Sequence, residues 1–282
     1  MSDSRRGLLK QAGDRLAASG IETAALDARL LFQAASGLRH EDIVAEPDLA
    51  VAPELAARFS SLVQRRCRFE PVSRILGTRE FYGRSFRVTP DVLDPRADTE
   101  TLIAAALGLA KGKARLRILD LGTGSGVIAL TLLAELPEAT AIASDLSAAA
   151  LAVAKGNAGA LGVAHRASFV QANWFEGIGG KFDLIVSNPP YIPLGDIAGL
   201  APDVREFDPP KALDGGPDGL EAYRRLANGA GGHLALSGRI VLEIGAGQEN
   251  AVNSLFMAAG FARESRHFDL SGHVRCLVFS RP

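Results

Sequence analysis

The sequence is poor in cysteine and has no excess of charge of either sign. Among its 282 residues the two cysteines, Cys67 and Cys276, lie far apart and form no Cys pair at metal-ligand spacing. A disulfide framework and a zinc site are therefore not expected, and no metal is predicted. The 31 Lys and Arg residues are balanced by 32 Asp and Glu residues. This balance argues against a long nucleic acid as a direct partner.

The sequence also has no long apolar run. Its N-terminus mixes charged residues with few apolar ones and does not have the apolar core of a signal peptide. The Ala- and Leu-rich stretches at 102–110 and 127–136 are too short to span a bilayer, and each is typical of a buried helix beside a strand. We therefore expect a soluble, cytoplasmic protein that makes no membrane contact.

The length suits two domains, and the apolar pattern changes twice along the chain. In residues 1–70 apolar side chains recur at helical spacing, which predicts a small N-terminal helical domain. Residues 71–95 contain short alternating apolar and polar runs around Gly77 and Gly83, typical of a β-hairpin linker. Residues 96–282 then form the third and largest segment.

The third segment alternates between helical and strand patterns. Helices are predicted near 98–110, 126–135, 147–160, 219–235 and 248–259. Strands are predicted near 116–120, 140–145, 167–171, 182–187, 239–245, 264–269 and 274–280. This alternation predicts an α/β fold with a mainly parallel sheet covered by helices on both faces.

A glycine-rich loop follows the first strand of that sheet. It reads Gly122-Thr123-Gly124-Ser125-Gly126, opens a helix and is preceded by Asp120. Small residues allow a ligand to approach the backbone and the helix N-terminus. The dinucleotide fingerprint needs Gly-x-Gly-x-x-Gly, whereas this spacing with an acid before it favours a cationic ligand without phosphate, S-adenosylmethionine. The alternative is a glycine turn that only packs the strand on the helix.

Two further strand ends complete the predicted cofactor site. Asp145 ends the second strand, where its carboxylate can accept hydrogen bonds from both ribose hydroxyls or can cap the next helix. Asn173 and Trp174 follow the third strand and could place an amide against the edge of an adenine and an indole against its face. With Asp120 and the glycine loop, these residues form the predicted binding set.

The most specific motif is Asn188-Pro189-Pro190-Tyr191, directly after strand 182–187. Prolines fix the backbone and cannot donate hydrogen bonds, so the side-chain oxygen of Asn188 and the carbonyl of Pro189 can both accept from one NH2 group. This grip can orient the lone pair of an amide nitrogen toward a sulfonium methyl, while Tyr191 packs against the planar group. We predict Asn188, Pro189 and Tyr191 as catalytic and all four residues as substrate-binding. A Pro-Pro turn without function is the alternative.

These motifs, in this order, resemble those of the protein-(glutamine-N5) methyltransferases, specifically the PrmC/HemK family that modifies peptide chain release factors. The resemblance spans nearly the whole chain. It includes residues 27–31, 71–83, 95–100, 122–126, 188–191 and 269–272, followed by Arg275.

The resemblance implies a class I methyltransferase domain of Rossmann-like fold that uses S-adenosylmethionine. The methyl group would go to the side-chain nitrogen of the glutamine in the Gly-Gly-Gln loop of class I release factors, and the helical domain would dock that partner. Gly122–Gly126, Asp145, Trp174 and Asn188 would contact the cofactor. Asn188 to Tyr191 would hold the glutamine.

The chain departs from the family pattern in places. Where the family usually has Pro-Arg-Pro-Glu-Thr-Glu, Ala97 and Asp98 replace the second proline and the first glutamate, and Asp94 precedes the segment in place of an apolar residue. Asn173 replaces an acid before Trp174, although its oxygen could still accept from an adenine amino group.

Three charged residues have no role that the residue pattern alone can assign. Arg96 and Glu100 lie four residues apart at a helix start, where a surface ion pair is the ordinary interpretation. The resemblance instead implies that they line the site. Glu243 is a charge within an apolar strand and has no assigned task.

Other functions share parts of this pattern. Asn188-Pro189-Pro190-Tyr191 would grip any NH2 group, including that of a flipped nucleic-acid base, although the mixed charge of residues 1–70 disfavours a nucleic-acid reader. A ribosomal-protein glutamine methyltransferase is a closer alternative. A non-catalytic cofactor-binding module is a third, which the intact reaction motif disfavours.

Overall fold

The computed structural model of the protein describes residues 4–282, and this part of the chain divides into two compact units. One unit holds the residues up to Thr78 together with Ala201–Phe207. The other holds Arg79–Leu200 and Asp208–Pro282. The boundaries at residues 70 and 95 that the sequence suggested stay a prediction.

The first unit is helical, as its apolar spacing predicts. Its N-terminal helices are α1 (Arg5–Ala18), α2 (Ala24–Ser36), α3 (His40–Ala45), α4 (Pro53–Arg66) and α5 (Val72–Leu76). Gly37, with φ of 74°, ends α2 in the left-handed conformation that glycine adopts at helix C-termini. The core contains Phe32 and Phe59, whose rings meet edge to face with centroids 5.1 Å apart.

A buried ion pair joins two of these helices. The Arg66 guanidinium donates to the Asp27 carboxylate at 2.7 Å, and both residues are nearly inaccessible to solvent. Arg66 also donates to the carbonyls of Phe69 and Glu70 at 3.2 and 3.3 Å. Because these bonds satisfy the guanidinium, the pair can be buried without an unpaired charge.

The predicted β-hairpin is formed by β1 (Thr78–Phe81) and β2 (Arg84–Arg87). Tyr82 and Gly83 between them both have positive φ, 50° and 69°, as a tight type I′ hairpin turn requires. Residues 72–76, which the sequence pattern assigned to the hairpin segment, instead form α5. Burial of Ile75 within the helical core favours the helix there.

The second unit contains a seven-stranded sheet within residues 4–282, with the order β5-β4-β3-β6-β7-β9-β8. Its strands are β3 (Arg117–Leu121), β4 (Thr140–Asp145), β5 (Ala167–Gln171), β6 (Phe182–Ser187), β7 (Leu234–Glu243), β8 (Ala262–Phe268) and β9 (Val274–Ser280). All neighbours from β5 to β7 are parallel, whereas β9 is antiparallel to both β7 and β8. The predicted mainly parallel α/β fold is confirmed.

Helices cover both faces of the sheet. They are α6 (Glu100–Ala110), α7 (Val127–Glu135), α8 (Ala148–Ala160), α11 (Glu221–His233) and α12 (Glu249–Ala258). Of the two short helices before α11, α9 (Pro202–Arg205) belongs to the first unit and α10 (Pro210–Leu213) to the second. Successive strand residues point to opposite faces, so Ile118 packs in one core with α6 and α7 and Leu119 in a second core with α11 and α12. Burial on both faces explains why the inner strands β3 and β6 are mostly apolar, whereas the edge strand β8 is polar and largely exposed.

One strand begins earlier than the sequence pattern predicts. β7 starts at Leu234 rather than near 239, because Leu234 pairs with Phe182 ahead of a register shift in β6. Gly238 lies at this irregularity, where a Cβ atom would come within 2.8 Å of the Phe182 carbonyl oxygen. The glycine allows the two backbones to approach at a bulge.

Within residues 4–282, no helix has both the length and the apolar character needed to cross a bilayer.

Removal of one partner of the buried ion pair should destabilise the helical unit. We expect Asp27→Ala to lower its free energy of unfolding by roughly 3–5 kcal/mol, since Arg66 would keep a buried, unpaired charge. Urea unfolding followed by circular dichroism measures this. The control is Asp48→Ala, which breaks the exposed Arg6–Asp48 pair and should leave the midpoint unchanged. Equal effects of the two variants would contradict the prediction.

Candidate functional site

The glycine loop after β3 leaves open space at two of its glycines. Gly122 and Gly124 have φ of 73° and 56°, and a Cβ atom on either would meet nothing within 4 Å. Gly126 differs, because a Cβ there would lie 2.7 Å from Leu130 Cδ1. The first two glycines therefore leave room for a ligand beside the backbone, and the third allows close packing inside α7.

The end of the neighbouring strand β4 holds this loop in place. The amides of Gly122 and Thr123 both donate to the Ser144 carbonyl at 2.9 Å. The Gly124 amide donates to the Asp145 carboxylate, also at 2.9 Å. On the far side, the Asn157 side chain donates to the Ser125 carbonyl at 2.8 Å. The loop conformation is thus fixed by hydrogen bonds within the protein.

Asp120 is a buried carboxylate at the end of β3. Its Oδ2 accepts from the Thr123 hydroxyl at 2.6 Å and from the Ala129 amide at 3.2 Å, whereas its Oδ1 has no hydrogen-bond partner among residues 4–282. Burial raises its pKa to about 7, and the two hydrogen bonds oppose this shift. An orphaned carboxylate oxygen beside an open glycine loop fits a ligand that carries a cationic group.

Asp145 does not cap the following helix. The N-cap of α8 is Ser147, whose hydroxyl accepts from the Ala150 amide at 3.2 Å. Asp145 Oδ1 accepts from the Ser147 amide at 2.8 Å while Oδ2 holds Gly124. The capping interpretation is therefore wrong, and the half-buried carboxylate lies beside the glycine loop. Its proposed contact with ribose hydroxyls stays a prediction.

Asn173 and Trp174 follow β5, and the Ala172 amide donates to the Asp145 carbonyl at 3.0 Å. Trp174 is half buried and has a positive φ of 55°, an unusual conformation for a bulky residue. The Asn173 amide nitrogen donates to Glu176 at 2.9 Å. Because a carboxylate can only accept, this bond turns the Asn173 oxygen toward other partners.

Asn188 follows β6 and is connected to a residue that the sequence left without a task. Its amide nitrogen donates to the Thr99 hydroxyl at 3.2 Å, and the Thr99 hydroxyl lies 2.6 Å from Glu243 Oε2. Thr99 and Glu243 are almost fully buried. Burial raises the pKa of Glu243 to about 7, while hydrogen bonds and Arg275 oppose this shift. The sequence signal for Glu243 was its charge within an apolar strand, but its partner lies 144 residues away.

Tyr191 is held by close backbone packing. The Gln248 side chain donates to the Tyr191 carbonyl at 2.9 Å. A Cβ atom at Gly215 would lie 2.9 Å from the Tyr191 backbone, and one at Gly219 would lie 2.5 Å from its carbonyl oxygen. A Cβ at Gly245 would lie 3.0 Å from the ring. Burial, followed by the charge of Glu243, raises the pKa of Tyr191 to about 12, so its phenol is neutral.

Arg96 and Glu100 do not form the ion pair that their spacing suggests. Arg96 pairs with the buried carboxylate of Asp208. Glu100 accepts from the Tyr82 amide at 3.0 Å, at the hairpin turn. The positive charge of Arg96 weakly opposes the rise in the pKa of Tyr191.

Asp98, which departs from the family pattern, takes part in a network around Arg275. The Arg275 guanidinium lies 3.2 Å from the Asp98 carboxylate and 3.1 Å from that of Asp269. It also donates to the Ile244 carbonyl at 3.2 Å. The shorter Asp98 side chain therefore still reaches a basic partner.

Stability should depend on pH through Glu243. Its raised pKa means that the folded protein keeps a proton that the unfolded chain releases above its ordinary value of 4.5. This stabilisation is complete below about pH 4.5 and is lost as the pH rises through about 7. Glu243→Gln has no carboxyl group at this position and therefore cannot show the loss. Between these limits we expect the unfolding free energy of the wild type to fall by roughly 3 kcal/mol relative to the variant. Urea unfolding at several pH values measures this difference, and parallel profiles would contradict it.

No group of three or more His, Cys, Asp or Glu side chains is arranged to hold a metal ion within the described residues. The two cysteines, Cys67 and Cys276, are free thiols.

Solved methyltransferase structures share this fold. A ribosomal protein L11 methylase from Lactobacillus delbrueckii subsp. bulgaricus matches with a TM-score of 0.51 and 20% identity, over 72% of this chain and 88% of the other. The hMettl16 catalytic domain matches with a TM-score of 0.58 and 16% identity, over 80% and 81% of the two chains. At these identities the comparison supports the class I methyltransferase fold alone.

Sequence comparisons identify the family. The model of the PrmC N-terminal domain matches residues 7–77, and that of the methyltransferase small domain matches residues 98–197. A release factor glutamine methyltransferase from Cereibacter sphaeroides is 50% identical over 273 residues, 97% of this chain and 96% of the relative. One of the same name from Rhodospirillum rubrum is 46% identical over 274 residues, 97% of this chain and 84% of the relative. With this identity over both domains, the chain belongs to the release factor glutamine methyltransferase family.

Proposed function

We propose that this protein transfers a methyl group from S-adenosylmethionine to the side-chain nitrogen of the glutamine in the Gly-Gly-Gln loop of class I peptide chain release factors. The observation that carries the proposal is the orientation of Asn188, whose amide nitrogen is bound to Thr99 and whose oxygen is left for a substrate. The names of the relatives support the choice of substrate.

The cofactor would bind at the carboxyl ends of β3, β4 and β5. Asp120 would accept from its ammonium group, Gly122–Gly126 would lie along it, and Asp145 would accept from its ribose hydroxyls. Asn173 and Trp174 would contact its adenine, and Asn188 would border its reactive end. When bound, S-adenosylmethionine supplies a methyl group activated by a sulfonium.

The substrate nitrogen would be held by two acceptors. Asn188 Oδ1 and the Pro189 carbonyl would each accept one N–H bond of the glutamine amide, which orients the nitrogen lone pair away from both. Pro190 fixes the backbone at this point, and Tyr191 gives the planar amide a surface to pack against. Positioning matters here because the lone pair of an amide is delocalised into its carbonyl.

The reaction does not need a strong base before methyl transfer. The nitrogen becomes acidic once it is methylated and can then lose its proton to water or to a nearby group. Tyr191 is unsuited as the base, since its raised pKa keeps the phenol protonated. Glu243 is buried and already accepts from Thr99. These residues therefore position the amide instead of removing its proton.

The helical unit would dock the release factor. A concavity of about 780 Å³ lies between α1, α2 and α3, and its walls combine apolar side chains such as Leu9 and Ile43 with the basic side chains of Arg6, Lys10 and Arg29. Apolar side chains beside arginine are typical of protein–protein interfaces. Because the proposed partner acts in translation, we place the enzyme in the cytoplasm.

Loss of the Asn188 acceptor should abolish most of the activity. We expect Asn188→Ala to lower kcat/KM for a purified release factor by about 100-fold or more, because the substrate nitrogen loses one of its two hydrogen-bond acceptors. Mass spectrometry of the methylated release factor measures this. The control is Asn250→Ala, at an exposed position of α12, which should retain wild-type activity.

The site of methylation tests the substrate itself. A release factor with Gly-Gly-Ala in place of Gly-Gly-Gln should accept no methyl group from the wild-type enzyme. Methyl transfer to DNA or to a ribosomal protein, with none to the intact release factor, would contradict the substrate assignment. The fold assignment would still hold.

Asp145 should contribute to cofactor affinity. We expect Asp145→Ala to weaken binding of S-adenosylmethionine by about tenfold or more, since the variant loses the acceptors for the ribose and the bond to the Gly124 amide. Isothermal titration calorimetry without any release factor measures this affinity. Asp196→Ala removes an exposed carboxylate as a control and should bind like the wild type. Unchanged affinity of the Asp145 variant would contradict its assignment.

A further inference from the structure

A directional chain of hydrogen bonds ends at Asn188. When Glu243 is ionised, its carboxylate can only accept, so the Thr99 hydroxyl uses its single hydrogen to donate to it. The hydroxyl oxygen can then only accept from Asn188, and it does so from the amide nitrogen at 3.2 Å. The direction of each bond follows from the one before it.

This direction determines which face Asn188 shows to a substrate. A free asparagine amide can rotate by half a turn and exchange its oxygen for its NH2 group with little change in shape. An NH2 group facing the substrate would oppose the N–H bonds of a glutamine amide. With its nitrogen bound to Thr99, Asn188 instead presents an acceptor beside the Pro189 carbonyl.

Resting on the proposed function, we propose that Thr99 and Glu243 are positioning residues that lock the Asn188 amide with its oxygen toward the substrate nitrogen. They would act through Asn188, without touching the substrate or the cofactor. The arrangement selects a nitrogen that carries two hydrogens, as a primary amide does. A monomethylated amide has only one N–H bond and would leave one acceptor unpaired, which disfavours a second transfer.

The burial of Glu243 argues for such a role. The strand Leu234–Glu243 is otherwise apolar where it is buried, and removal of a carboxylate from water is costly without compensation. Thr99 and Asn188 compensate it in part, and Arg275 does so through its charge. An apolar residue would fill this position at lower cost if packing were its only requirement.

The lock depends on the charge of Glu243, because a protonated carboxyl could donate to Thr99 and reverse the chain. Glu243 interacts electrostatically with titratable and charged groups from several elements, namely Asp98, Tyr191, Tyr223, Arg275 and Cys276. Burial raises the pKa of Glu243 to about 7 despite Arg275. We therefore expect kcat to fall as the pH is lowered through this value.

The test compares two substitutions at Thr99. Thr99→Val keeps the shape of the side chain but removes the hydroxyl, and Thr99→Ser keeps the hydroxyl. The matched control is Thr131→Val in α7, another fully buried threonine, whose hydroxyl has no partner among residues 4–282. For each protein, kcat and KM are measured with a purified release factor at several pH values. S-adenosylmethionine affinity is measured by calorimetry, and Tm by thermal unfolding.

We expect Thr99→Val to lower kcat by about 10- to 100-fold. Its KM for the release factor should change by less than about threefold, because contacts away from Thr99 bind the release factor. Thr99→Ser should keep at least about a third of the wild-type kcat, and its kcat should fall at low pH as that of the wild type does. Thr131→Val should match the wild type. S-adenosylmethionine affinity should change little in either Thr99 variant, whereas Thr99→Val should lower Tm by several degrees because buried Glu243 loses a hydrogen-bond donor.

Two outcomes would overturn the positioning role. One is an active Thr99→Val enzyme with wild-type kcat, and the other is an equal loss in the Ser and Val variants, which would indicate packing. Failure of the proposed function would look different, because the wild-type enzyme itself would then leave the release-factor glutamine unmethylated.

Discussion

Parallel pairing of β3 with β4 on one side and with β6 on the other is the constraint on which the site depends. The three strands run in the same direction, so their carboxyl ends meet at one edge of the sheet. Asp120, Asp145 and Asn188, far apart in sequence, are thereby brought together. The glycine loop then has only to keep this edge open, and Gly122 and Gly124 do so by leaving space where other residues would place a Cβ.

The two units treat buried charge in different ways. In the helical unit, Asp27 and Arg66 neutralise each other at 2.7 Å. At the sheet edge, Asp120 has one oxygen without a partner in the described residues, and Glu243 relies on neutral donors and on the charge of Arg275. Burial raises the pKa of both carboxyls to about 7. A carboxylate that the fold leaves incompletely satisfied is suited to a ligand or to a positioned side chain.

The sequence predicted the parts of this arrangement that depend on local pattern. Alternating strands and helices predicted the sheet, and the glycine spacing predicted the open loop. Asn188 to Tyr191 stood out because the motif offers two acceptors for one NH2 group. Long-range partners could not be predicted. The Thr99–Glu243 contact joins residues 144 positions apart. Arg96 pairs with Asp208, 112 positions away, and not with its near neighbour Glu100. Spacing along a helix describes neighbours on that helix and cannot weigh them against a distant, buried carboxylate.

The position of β9 in the sheet has a consequence for folding. It follows β7 and β8 in sequence but lies between them, and β8 touches the sheet only through β9. β8 therefore cannot pair with the sheet before β9 does. Where β7 pairs with β9, Glu243 lies opposite Cys276, and the neighbouring residue Arg275 also lies on β9. The polar network beside Asn188 is therefore complete only when β9 is paired with β7, so the site at the carboxyl ends of the parallel strands depends on an antiparallel strand from the C-terminal end of the chain.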